Sequence, residues 1–168
     1  MVNAIQHTPL WVWALLAVLV WRGLSATRES TGPLWRYAIV PVAIGIWGLS
    51  GLVLRYPLSA GAIGVWLGGL ALGGLLAWRA AQGVPVRADP ARGTITVPGT
   101  WSVLVLILAI FAVKYWLAYR LARDPALAVE PSFYLADVGF SGLATGGLAG
   151  RVARYARAYR SASAVPAA

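Results

Sequence analysis

Two charged residues stand where an apolar chain has little use for them. Lys114 lies in Phe111-Ala-Val-Lys-Tyr-Trp116 and Asp137 in Tyr134-Leu-Ala-Asp-Val-Gly139, each inside a long apolar run. An ionised side chain at the centre of a bilayer costs about 3 kcal/mol on insertion scales, so it needs a partner, a wet cavity or a route to the surface. Lys114 precedes Arg120 by six residues, and Asp137 follows Ser132 by five. If the two runs are antiparallel helices across one loop, both side chains lie about 8–9 Å below the same interface, at about 1.5 Å per residue. The pair can serve as an ion or proton site. It can equally be a salt bridge that pins two helices, or two side chains that snorkel separately. One pair with no further intramembrane acid makes a poor relay, which favours the structural role.

Other chemistry is sparse. The chain of 168 residues has no cysteine and one histidine. Disulfides, thiolate metal sites and iron–sulfur clusters are excluded, and His7 alone cannot build a metal site. His7, between Gln6 and Thr8, can titrate near neutrality but reads as a polar boundary residue. Catalysis needs a nucleophile or an acid–base set converging on one pocket, and Lys114, Asp137 and a few hydroxyls are thin material. No glycine-rich segment follows a strand, opens a helix and ends in Lys-Ser/Thr, so a phosphate-cradling loop is not supported. The expectation is a protein that is not an enzyme and holds no cofactor or metal.

The glycines form a second constellation. Gly142, Gly146 and Gly150 recur every four residues, with Gly139 just before them. Another apolar run carries Gly61, Gly64, Gly68, Gly69, Gly73 and Gly74, including Gly64-x-x-x-Gly68 and Gly69-x-x-x-Gly73; Gly45, Gly48 and Gly51 mark a third. Small residues four apart let helix backbones approach closely in lipid, where no hydrophobic force drives association. Gly64, Gly68, Gly142, Gly146 and Gly150 are therefore expected to pack helices within the chain. Homo-oligomerisation through one such face is the sharper alternative.

These residues need elements to hold them, and the elements are apolar. The chain is 60% hydrophobic and 11% charged, with mean hydropathy +0.72. A soluble domain carries about 25% charged residues, so the bilayer is the expected solvent. Five spans are predicted: Thr8–Leu24, Leu34–Leu54, Leu58–Trp78, Thr100–Tyr119 and Ser132–Gly150. Each approaches the length that crosses about 30 Å of hydrocarbon. Gly32-Pro33 reads as a turn, Arg55-Tyr56-Pro57 as a tight turn, and Pro41 as a kink or a close helix contact. The nine tryptophans mostly flank spans and fit an aromatic belt, while Trp47 and Trp66 sit deeper as packing residues. The opening MVNAIQHTP lacks Lys and Arg, so a retained first helix is expected rather than a cleaved signal.

The arginines orient the bundle. Arg22, Arg28, Arg36, Arg79, Arg87, Arg92, Arg151, Arg154, Arg157 and Arg160 fall on one side of this scheme; Arg55, Arg120 and Arg123 fall on the other. The positive-inside rule then sets the N-terminus outside and the C-terminus in the cytoplasm. Net charge is +9, but the basic residues sit at helix ends beside apolar runs. Anionic headgroups on the Arg-rich side are the expected partner, and nucleic acid is not. Between spans three and four, Val84-Pro-Val-Arg-Ala88 and Thr94-Ile-Thr-Val97 alternate around Asp89-Pro-Ala-Arg-Gly93, which predicts a small cytoplasmic β-hairpin. The predicted fold is thus an all-α transmembrane bundle of about five helices with that hairpin. Residues 1–150 form one domain, and residues 151–168 a basic tail with a disordered end.

His7-Thr-Pro-Leu-Trp-Val-Trp-Ala-Leu-Leu16, Pro98-Gly-Thr-Trp101, Phe111-Ala-Val-Lys-Tyr115 and Ser141-Gly-Leu-Ala-Thr-Gly146 resemble a family of uncharacterised small bacterial inner-membrane proteins, a domain of unknown function. The similarity spans nearly the whole chain. More remotely, the order of parts resembles the CcdC-like membrane proteins: an Arg-rich first loop, an early proline in span two, a hairpin before span four and an Arg/Tyr-rich stretch after span five. The resemblance implies the architecture and a bacterial inner membrane, and it implies no activity. The expected role is structural, accessory or sensing, exerted through protein partners. The alternative is a small transporter or channel using the Lys114/Asp137 region.

Overall fold

Long runs of Leu, Ala, Val and Trp without internal breakers fold as helix. The computed structural model describes residues 10–55 and 59–163 and has five α-helices among them: α1 (Leu10–Ser25), α2 (Leu34–Arg55), α3 (Ala60–Ala80), α4 (Trp101–Arg123) and α5 (Pro131–Ser163). His7, the turn residues Tyr56 and Pro57, and the end of the tail lie outside the described residues. The chain divides into two compact units, Met1–Ser30 with Pro98–Pro125 and Thr31–Val97 with Ala126–Ala168.

The expected five spans are not all supported. Among the described residues, two helices are long and apolar enough to cross a membrane: α3 with mean hydropathy 1.8 and α4 with 2.1. The other three fall short for separate reasons. α1 has 16 residues, and α2, a helix of 22 residues, is followed as an apolar stretch over Leu34–Ser50 among the described residues. In α5 the apolar residues are diluted by glycine, serine, threonine and Asp137. Gly23 brings the end of α1 onto the start of α4, where a Cβ would lie 3.3 Å from Leu104 Cα. Thr100 N donates to Ala26 O at 3.0 Å beside that contact.

In the other unit, α5 packs on both α3 and α2. Gly45 faces Thr145 and Gly48 faces Ser141, so α2 runs antiparallel to α5. Pro41 sits inside α2 and is buried. Along α3, Ala62 packs on Val138, Trp66 meets Gly142, Leu70 meets Gly146 and Gly74 meets Gly150. Both series ascend together, so α3 and α5 are parallel. α5 does not stop at Gly150, where the sequence suggested the bundle ends and a tail begins. It has 33 residues, about 50 Å at 1.5 Å per residue. Between Arg151 and Ser163 there is neither glycine nor proline, and alanine and arginine favour helix.

The predicted hairpin is present as β2 (Arg87–Asp89) and β3 (Thr94–Val97), antiparallel with Arg87 opposite Thr96 and Asp89 opposite Thr94. Asp89 Oδ1 accepts from Arg92 N at 3.2 Å, and Gly93 closes the turn at φ +65°, a conformation glycine adopts without steric cost. A third strand was missed. Gly32-Pro33, read as a turn, belongs to β1 (Ser30–Pro33), which pairs with β3 at one edge of the sheet. Proline is tolerated there because an edge strand need not donate every amide. Thr31 and Thr96 share a hydroxyl hydrogen bond of 2.8 Å across that pairing. Ile95 and Val97 pack on Tyr155 of α5, with Leu34, Tyr37, Val86, Ala88 and Tyr159 around them.

Candidate functional site: the glycine-packed helix pair and its basic end

The α3–α5 seam is backbone against backbone. A Cβ on Gly142 would strike Trp66 O and come within 3.0 Å of Leu70 N; one on Gly146 would strike Leu70 O and reach 2.8 Å from Gly74 N. One on Gly150 would strike Gly74 O, with Gly74 Cα 2.9 Å away. The reciprocal contacts come from Gly69 and Gly73, whose added Cβ atoms would strike Gly139 O and Leu143 O. Two glycine ladders therefore interlock. Such proximity suits weak Cα–H···O contacts as well as dispersion, both of which survive in lipid. The α3 glycines expected in this role were Gly64 and Gly68, and they are not in it. Both are exposed, and a Cβ on either meets nothing within 4 Å. The sequence displayed both pairs four apart; only the phase of the helix decides which pair faces α5.

Polar groups of α5 beside the seam are tied to backbone. Ser141 Oγ donates to Asp137 O at 2.8 Å and Thr145 Oγ1 to Ser141 O at 2.9 Å, the local bonds hydroxyls make inside helices. Both face the small residues of α2, and a Cβ at Gly45 would lie 3.2 Å from Thr145 Cγ2. At the start of the pair, Ser59 caps α3 by accepting from Ala62 N at 3.1 Å and lies 3.3 Å from the Tyr134 hydroxyl. The indole N–H of Trp66 is buried and meets no acceptor among the described residues. Asp137 stands half-buried on α5 in this unit, and Lys114 half-buried on α4 in the other.

The far end of the pair is basic and aromatic. Arg157 of α5 sits over the Trp78 ring, 5.8 Å from its centroid, a cation–π distance. Arg79 follows Trp78 in the last turn of α3 and is exposed. At 100° per residue, Arg154, Arg157 and Arg160 cover about 120° of α5, on the side away from Tyr155. Tyr155 turns to the sheet, 7% exposed, and meets Tyr37 edge-on at 6.1 Å. Burial raises the Tyr155 hydroxyl above its ordinary pKa of 10.0; Arg151 opposes that rise and Tyr37 adds to it. The sequence showed the arginine spacing but not the Trp78 contact, which depends on the α3–α5 register.

Among the described residues no group of three or more His, Cys, Asp or Glu side chains is placed to hold a metal ion. A family model described as a family of unknown function, DUF6622, matches residues 1–167, so the chain belongs to that family. No curated protein and no solved structure matches the chain.

Proposed function

We propose that this DUF6622 protein is a multi-pass protein of the bacterial inner membrane, with its N-terminus outside and its C-terminus in the cytoplasm. It works without catalysis, as a structural, accessory or sensing component acting through protein partners. The observation that carries this reading is the parallel α3–α5 pair. α3 has 21 residues, about 31 Å of helix, enough for the hydrocarbon core. It is not the core helix of a soluble fold, because its large apolar side chains face outward, with Leu67 50% and Leu72 51% exposed. α5 accompanies it from Ser59–Tyr134 at one end to Trp78–Arg157 at the other. What α3 crosses, α5 crosses in the same direction despite its lower hydropathy. α2 runs back beside α5. Two parallel crossings also require the chain between them to return, and α4 is an apolar helix of 23 residues able to do so. With α1 ahead of α2, this makes five crossings.

The glycine ladders favour a rigid, dry seam over a polar conduit, and with the scarcity of acid–base groups this supports an accessory role. Reporter fusions at the C-terminus test the reading. A cytoplasm-active reporter, such as a fluorescent protein, is expected to work there, and alkaline phosphatase is expected to be inactive. Active phosphatase at residue 168 would refute the orientation.

A further inference from the structure

We propose that the basic end of the α3–α5 pair is a binding site for the phosphate of an anionic phospholipid headgroup, formed by Arg157, Trp78, Arg79 and Arg154. The proposal rests on the reading above, which sets this end of the pair at the inner membrane interface. Three observations support it. The first is depth. Trp78 and Arg79 close a helix whose length matches the hydrocarbon core, so they stand at headgroup level. In the α3–α5 register, where Gly74 meets Gly150, the next step of four brings Arg154 level with Trp78, and Arg157 reaches back over the indole.

The second is charge. Arg79 in the last turn of α3 and Arg154, Arg157 and Arg160 along α5 all belong to this end of the pair, and the described side-chain carboxylates of this unit are elsewhere. Glu130 and Asp137 lie at the opposite end of α5, and Asp89 is 3.7 Å from Arg92 at the hairpin turn. Among the described residues, no carboxylate of this unit supplies a counter-charge at this end. The third is preorganisation. Tyr155 and Tyr159 fix the α5 extension on the sheet, which turns the arginine face away from it. The Trp78 ring steadies the Arg157 guanidinium while its in-plane N–H groups remain able to donate. A guanidinium fork matches two phosphate oxygens, and a cation beside an interfacial tryptophan suits a headgroup better than a fully hydrated ion.

The test uses the full-length protein in mild detergent, mixed with equal amounts of dioleoylphosphatidylglycerol and dioleoylphosphatidylcholine and read by native mass spectrometry. Retention of phosphatidylglycerol over phosphatidylcholine is expected. Arg157→Gln should lower that retention about fivefold, the weight of one basic side chain at an anionic surface, and Trp78→Leu should lower it too. Arg92→Gln removes the same charge at the exposed hairpin turn and should change nothing. Unchanged size-exclusion profiles and helical circular dichroism would confirm that the variants fold. Inorganic phosphate should not displace the lipid. Equal losses from Arg92→Gln and Arg157→Gln, displacement by phosphate, or no preference between the two lipids would overturn the proposal. If the C-terminus still reports as cytoplasmic, those results would remove this site alone; a periplasmic C-terminus would remove the orientation beneath it.

Discussion

Single atoms decide the seam at the residue scale. Gly146→Leu drives a side chain into Leu70 O and the Gly74 amide, and backbone cannot step aside as a flexible side chain can. Overpacking a core typically costs about 1–3 kcal/mol, and a backbone clash belongs at the upper end or beyond. Folded yield and monodispersity by size-exclusion chromatography in detergent should collapse for Gly146→Leu. They should hold for Gly68→Leu, because Gly68 is exposed and a Cβ there meets nothing within 4 Å. Leu148, which the helical phase of the glycines alone would assign to the lipid side, is 6% exposed and makes a poor control. The second residue-scale prediction concerns pH. Burial raises the Tyr155 pKa above its unfolded value, so the folded state holds the proton more tightly. Its contribution is complete below about pH 10 and is lost as pH rises through the folded value. Melting temperature measured up the alkaline range should fall more steeply in the parent than in Tyr155→Phe, which keeps the ring. Glycine spacing was legible in the sequence. The choice of Gly69 and Gly73 over Gly64 and Gly68 was not, because both pairs satisfy the same spacing and only the partner distinguishes them.

Elements differ in how fully their own sequence defines them. The β2–β3 hairpin was legible because its turn chemistry is local: Asp89 accepts from Arg92 N, and Gly93 takes the left-handed conformation. β1 was not, because Ser-Thr-Gly-Pro has the composition of a turn and becomes a strand only through pairing with β3. The same distinction explains α5. Composition announced an apolar stretch and a basic tail, whereas the helix continues through both because Tyr155 and Tyr159 find the sheet. The sheet and the α5 extension should therefore fail together. Ile95 is fully buried, and truncating a buried isoleucine to alanine typically costs about 2–5 kcal/mol. Ile95→Ala should speed amide hydrogen exchange in residues 87–97 and equally around Tyr155, while residues 62–74 of α3 stay protected. Faster exchange confined to the hairpin would show that the extension stands without the sheet.

For the whole molecule, the path of the chain is the main claim. Hydropathy alone finds two helices able to cross a membrane; packing sets α5 parallel to one of them, and α2 antiparallel to α5. A helix rich in glycine and hydroxyls scores low on hydropathy for the very reason that it packs closely, so composition understates it. The proposed orientation rests on the arginine asymmetry, which no single helix carries. The chain has no cysteine, so single cysteines can be introduced and their exposure to a membrane-impermeant maleimide compared in intact and opened cells. The exposed positions Ala60→Cys and Ser132→Cys begin α3 and α5, and Gln82→Cys and Ser163→Cys follow or end them. Parallel crossings require residues 60 and 132 to label in intact cells, and residues 82 and 163 to label only after opening. If residues 132 and 163 label from the same side, α5 does not cross and the account is wrong.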